Sequence, residues 1–160
     1  MSGASNLVGA VPAVRWVIGT TGSAMSTRVR YGAFGLSIEH FDCKRFGVAM
    51  AEAAAMDPQQ RQLLERGYSA LHASGWDRGA FQSHEVGVFI GVEMHDFETV
   101  LATSSAGGSV YAATGSSLSI ASGRLSYVLG LQGPCASYAT ACSAALVASH
   151  AARRALQLEE

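Results

Sequence analysis

The chain has 160 residues, enough for one domain with its own core and no need of a covalent staple. Hydrophobic residues make up 49% and charged residues only 14%, against about 25% charged in an ordinary soluble domain, so either much of its surface meets a partner or the chain belongs to something larger. A net charge of -1 gives no reason to expect nucleic acid or an anionic membrane surface as that partner.

Residues 1 to about 30 are rich in Gly, Ser and Thr, notably "GTTGSAMSTR". They are expected to be mostly irregular, with "VPAVRW" the one stretch that docks. Residues 31 to 160 carry the structured part, and no Pro/Gly-rich linker divides it. Its clearest signal is "MDPQQRQLLERGYSALHASG". Asp57 stands at an N-cap, Pro58 at the first helical position, and Gln60 completes a capping-box pattern. Leu63, Leu64, Tyr68 and Leu71 recur at helical spacing, and Gly75 supplies the stop.

"EVGVFIGVE" is a short β-branched run that is apolar on both faces, which predicts a buried central strand. "HDFETVLATS" predicts a short helix. "GSSLSIASGRLSYVLG" predicts another, with a serine near its cap, Leu118, Ala121, Leu125, Val128 and Leu129 inward, and Gly130 at its end. "CASYATA" reads as a strand and "CSAALVASHAARRALQLEE" as a last helix beginning at Cys142. Strand, sharp turn and helix in this order give an α/β layering.

The three cysteines, Cys43, Cys135 and Cys142, are an odd number without close pairing. They suit a reducing compartment, the cytoplasm or an organelle stroma or matrix, rather than secretion. No apolar run reaches the roughly 18 residues of a membrane span. The N-terminus lacks the basic start and long apolar core of a secretory signal.

A cysteine in the first turn of a helix feels the partial positive charge of unpaired backbone N–H groups. That field favours the thiolate, and the same N–H groups can stabilise an oxyanion on a thioester attacked by the sulfur. Ala141, Ser143, Ala144 and Ala145 are small and leave room for an acyl chain. The competing reading is that a free cysteine is simply a small buried hydrophobe, and that is the reading given to Cys43 and Cys135. "HFDC", His40 to Cys43, has no second ligand pair, so no metal site is expected. His150 lies about 12 Å along the helix from Cys142, too far to act as its base. "GTTGSA" lacks the Gly-Lys-Ser ending of a phosphate-binding loop, and no G-x-S-x-G elbow exists. Nothing in the sequence calls for a cofactor. A cysteine peptidase would need its own histidine base and local signature, and neither is present.

Taken together, "MDPQQRQLLE", "VGVFIGV", "YAATGSSLSIASGRLSYVLGLQGP" and "ATACSAALVASH" closely resemble consecutive blocks of the β-ketoacyl synthase domain of modular, type I polyketide synthases. "VPAVRW" and "RYGAFGLSIEHFD" resemble the blocks before them, so the likeness runs in order from about residue 11 to the end. It implies a thiolase-like fold of two similar halves, of which this chain is part of the first, and a homodimer or larger assembly. It implies that Cys142 takes an acyl group from an acyl carrier protein thioester. Two histidines further along the family's chain then promote decarboxylation of a malonyl-type extender and carbon–carbon bond formation. None of the five histidines here stands in a matching context, so the chain alone is not expected to complete a condensation. The resemblance also places "CASYATA" near a dimer axis, with "SVYAATGSSLS" close to the same region. This sequence departs from the family at Ala139, where an acidic residue is usual, and at Ala144 and Ala145, where the family has more serines. Those departures, with the shortage of charge, motivate the alternative of a non-catalytic structural or interaction protein that keeps half of the fold.

Overall fold

The computed structural model describes residues 8–13, 30–34, 38–76, 78–81, 84–94 and 96–159. "GTTGSAMSTR" and the latter half of "VPAVRW" lie outside the described residues. The chain divides into two compact units, residues 1–38 and 39–160. In the first, β1 (Val8–Ala10) pairs antiparallel with β2 (Tyr31–Ala33).

The second unit runs α1 (Cys43–Phe46), α2 (Met50–Ala55), α3 (Pro58–Ala73), α4 (Arg78–Phe81), β3 (Val88–Gly91), α5 (Phe97–Ala102), a 3-10 turn (Ser105–Gly108), α6 (Ala112–Ser116), α7 (Ile120–Leu129), β4 (Cys135–Tyr138), a second 3-10 turn (Ala141–Ser143) and α8 (Ala144–Leu158). β3 and β4 pair in parallel, Val88 opposite Cys135 and Gly91 opposite Tyr138. The expected central strand is half-buried, because among the described residues β3 has a strand on one side only.

Helices cover both faces of this pair. Val88 joins Phe46, Val48, Met56, Leu64, Leu125 and Leu129 in one apolar cluster, and Ser137 meets the start of α7 through Ser122, their hydroxyls 3.0 Å apart. Gly91, one residue on from Ile90 and therefore on the other face, lies against the backbone of Ala144 and Ala145 in α8. The sheet thus sits between α7, backed by α3, and α8.

Asp57 caps α3, its Oδ1 accepting the Gln59 N–H at 2.7 Å, and Pro58 opens the helix. Gly75, at φ +89, takes the left-handed conformation that follows the helix. The capping box does not form. Gln60 is buried, and its amide is recruited by distant loop carbonyls: Nε2 donates to Thr114 O at 3.2 Å and Ser117 O at 3.0 Å. Its Oε1 accepts from Arg124 Nε at 2.7 Å. The buried Arg124 also pairs with Glu52, so one guanidinium ties α7 to α2 and α3. The predicted helix "GSSLSIASGRLSYVLG" is two helices, α6 and α7, broken at Ser117 with its extended backbone. α7 ends as expected at Gly130, φ +73, and the Leu131 N–H closes the turn on Ser126 O at 2.9 Å. Of the residues expected inward, Ala121, Leu125 and Leu129 are buried and Leu118 and Val128 half-buried.

Candidate active site

β4 ends at Tyr138, and the chain leaves the sheet through exposed Ala139 and Thr140. Ala141 then adopts φ +51. This is the left-handed region, where an alanine side chain is crowded by its own backbone. The reversal sends the chain into a tight 3-10 turn rather than directly into an α-helix. The Ser143 N–H donates to Thr140 O at 3.2 Å, and the Ser143 hydroxyl reaches Thr140 O at 2.7 Å and Thr140 Oγ1 at 3.1 Å. Ala144 N–H donates back to Ala141 O, and α8 proceeds from there.

Cys142 lies at the centre of this turn and is exposed. The expectation that the last helix begins at Cys142 needs a correction of two residues: the α-helix begins at Ala144, because the left-handed Ala141 starts a 3-10 turn first. The consequence for chemistry is small. The sulfur still precedes the amino end of a 15-residue helix, whose dipole points its positive end at the turn.

The amides around the sulfur are accounted for in part. Ala141 N–H is held from outside the turn by Glu93 Oε2 at 2.8 Å, and those of Ser143 and Ala144 are used within it. The Cys142 amide is the remaining donor of the turn. Glu93 stands two residues past the end of β3, where sequence reading saw only the edge of a strand. A single residue beside a loop carries no periodic signal, and its partner is 48 residues away.

Gly91 completes the frame. An ideal Cβ at this position would lie 2.5 Å from Ala144 C and from Ala145 N, so only glycine lets the end of β3 approach the first turn of α8 this closely. Ala144 is buried and Ala145 exposed.

The other cysteines are placed differently from one another. Cys43 is half-buried against the apolar cluster, as expected of a packing residue. Cys135 is exposed, against expectation: it opens β4, which among the described residues has no strand on its other edge. His150 is an exposed residue of α8. The rings of His72 and His84 stack or tilt against Tyr68 and Trp76. Asp42 of "HFDC" caps α1 by accepting the Arg45 N–H at 3.0 Å. Among the described residues, no three His, Cys, Asp or Glu side chains come together as metal ligands. No helix there is long and apolar enough to cross a membrane. A cavity of about 480 Å³, walled by Phe46, Val48, Glu52, Ile120, Arg124 and Tyr127 among others, does not include Cys142.

The arrangement can present one accessible sulfur, with an amide donor beside it, at the ends of two parallel strands. Comparison with known proteins gives this a context. The family described as "Beta-ketoacyl synthase, N-terminal domain" matches residues 2–160. A phenolphthiocerol/phthiocerol polyketide synthase of Mycobacterium tuberculosis is 39% identical over 162 residues, covering 97% of this chain and 10% of that protein. Polyketide synthase GfsB of Streptomyces halstedii is 44% identical over 134 residues, covering 84% of this chain and 2% of that protein. Among solved structures, the ketosynthase from module 6 of the bacillaene synthase of Bacillus subtilis 168 superposes with a TM-score of 0.80 at 31% identity, covering 98% of this chain and 25% of its own. The oxazolomycin ketosynthase domain OzmH KS7 of Streptomyces albus JA3453 gives 0.76 at 29% identity, covering 94% and 27%. The chain therefore spans a tenth or less of these curated relatives and about a quarter of the ketosynthase structures.

Proposed function

The chain belongs to the β-ketoacyl synthase family, and from that membership we propose that Cys142 is the residue that accepts the acyl group in polyketide or fatty-acid chain extension. Its fold is part of the thiolase-like fold of ketosynthases, about a quarter of those chains. The observation that carries the proposal is the turn itself: an exposed cysteine between the end of a parallel strand and the amino end of a long helix, inside the block "ATACSAALVASH".

The chemistry is a thioester exchange. After its thiol proton passes to water, the Cys142 thiolate attacks the carbonyl carbon of an acyl carrier protein thioester, and the Cys142 amide donates to the oxygen as negative charge develops on it. The carbon–sulfur bond to the carrier then breaks, the carrier leaves as a thiolate, and the acyl group stays on Cys142. In a condensation the acyl-cysteine and a malonyl-type thioester give a β-ketoacyl thioester, carbon dioxide and free Cys142. The two histidines that the family uses for decarboxylation are matched by none of the five here, so the 160 residues by themselves stop at the acylated cysteine. An assembly of two copies or more is part of this reading; Val110, Tyr127, Leu146 and Leu156 are exposed apolar side chains that a covering protein surface would remove from water.

The test is intact mass after incubation with a short acyl thioester. The chain should gain one acyl group, and Cys142→Ala should gain at most about a tenth as much, the level left to exposed Cys135. Equal acylation of the Cys142→Ala protein would defeat the assignment and favour a structural role for this half of the fold.

A further inference from the structure

Ala141 is one of two described non-glycine residues with a left-handed backbone, and the other, Glu159, closes α8. A residue in that conformation persists only where its surroundings fix it. The bonds inside the turn run from Ser143 and Ala144 to Thr140 and Ala141 carbonyls. None of them takes the amide of Ala141. That amide is held by Glu93 Oε2 at 2.8 Å, from the loop after the neighbouring strand. The bond joins the exits of β3 and β4 at the position immediately before the sulfur.

We propose that Glu93 is a positioning residue for Cys142: its carboxylate accepts the Ala141 N–H, keeps Ala141 left-handed, and so sets the direction in which the Cys142 sulfur and amide meet an acyl thioester. The inference rests on Cys142 being the acyl acceptor and adds a residue to the site that no motif assigns. A backbone N–H bonded to a carboxylate is a charge-assisted hydrogen bond, about twice as strong as one to a neutral acceptor. Its loss frees the turn to relax toward ordinary backbone angles, with the sulfur turned away from the productive approach.

The experiment measures the rate of Cys142 acylation by a short acyl-N-acetylcysteamine thioester, followed by mass on the full chain. Glu93→Ala should slow the reaction about tenfold, the factor given by about 1.4 kcal/mol. Glu93→Gln retains an acceptor oxygen and should stay within about threefold, half of that free energy. In an Ala141→Gly background, where the left-handed conformation is nearly free of strain, Glu93→Ala should likewise cost no more than about threefold. A role in general stability would not produce that rescue. An unchanged rate in Glu93→Ala, or an undiminished tenfold loss beside Gly at 141, overturns the proposal. If the wild-type chain does not acylate at Cys142 at all, the nucleophile assignment fails instead. Hydrogen exchange at the Ala141 amide then decides the Glu93 contact, faster in Glu93→Ala if it holds and unchanged if it does not.

Discussion

Replacing Gly91 by alanine puts a methyl group where β3 meets the amino end of α8. The new Cβ would lie 2.5 Å from Ala144 C and Ala145 N and 2.7 Å from Ala144 O. Favourable contact between such atoms begins at about 3.5 Å, so strand and helix must separate by roughly 1 Å. All three atoms are backbone, and no rotamer change relieves them. Overpacking of this kind costs about 1–3 kcal/mol, and the rigidity of the neighbours places Gly91→Ala at the upper end. At about 2–4 °C per kcal/mol for a chain of this size, the unfolding midpoint should fall by about 6–12 °C. Ala144 directly follows the turn that holds Cys142, so the displacement also moves the sulfur. A misplacement of about 1 Å can cost about a hundredfold in rate. Thermal unfolding followed by circular dichroism, with Cys142 acylation measured well below the midpoint, tests both effects. A midpoint within about 2 °C of wild type together with an unchanged acylation rate would show that the close approach of Gly91 to α8 does not govern this site.

Gly123, in the interior of α7, offers the opposite case. A Cβ there meets nothing within 4 Å, so Gly123→Ala should raise stability by about 0.5–1 kcal/mol through helix propensity alone, read as a higher urea midpoint. Glu52→Gln should cost about 2 kcal/mol, because it strips the carboxylate from buried Arg124; the figure is below that for a fully buried pair since the Glu52 side chain is 25% exposed. Adding Arg124→Met should recover part of that loss, a coupling measurable in a double-mutant cycle. Burial is the main influence lifting the Asp57 carboxyl above its ordinary 3.8, with the Gln59 hydrogen bonds opposing it. A carboxyl raised in the folded state stabilises the fold when protonated. That contribution is complete below the unfolded value of about 3.9 and is lost as pH rises through the folded one. Asn caps a helix as well as Asp without ionising, so Asp57→Asn should gain on wild type in urea unfolding as pH rises from about 4 through the folded value; a deficit that widens with pH would contradict the burial argument.

The parts of this fold that were legible in the sequence are those encoded locally. Asp57, Pro58 and Gly75 mark the ends of α3 because capping is a matter of three or four neighbouring residues, and Gly130 marks the end of α7 for the same reason. What escaped was encoded over distance. Gln60 satisfies a local pattern, yet its amide serves residues 54 to 64 positions away. Arg124 carries no local signal of its burial, which only its meeting with Glu52 and Gln60 explains. Cys135 is expected in the core because cysteine usually is, but it opens β4, which among the described residues has no strand on its other edge, and it is exposed. At the candidate site, the place of Cys142 between a strand and the last helix was legible from local pattern, and its choice as the acyl acceptor rests on the resemblance of "ATACSAALVASH" to the ketosynthase block. The left-handed turn at Ala141 was not, since no glycine announces it, and Glu93 could not be chosen without the contact that defines it.

Two of the three thiols, Cys135 and Cys142, are exposed, so the chain carries its own control for accessibility. Peptide mapping after limited acylation by a thioester reads the two positions in the same molecule. If the turn before α8 confers reactivity, the acyl group should be found at Cys142 at least about ten times as often as at Cys135, a preference of about 1.4 kcal/mol in activation free energy. Equal labelling of the two would mean that Cys142 is merely exposed, and the account of this site as an acyl acceptor would be wrong.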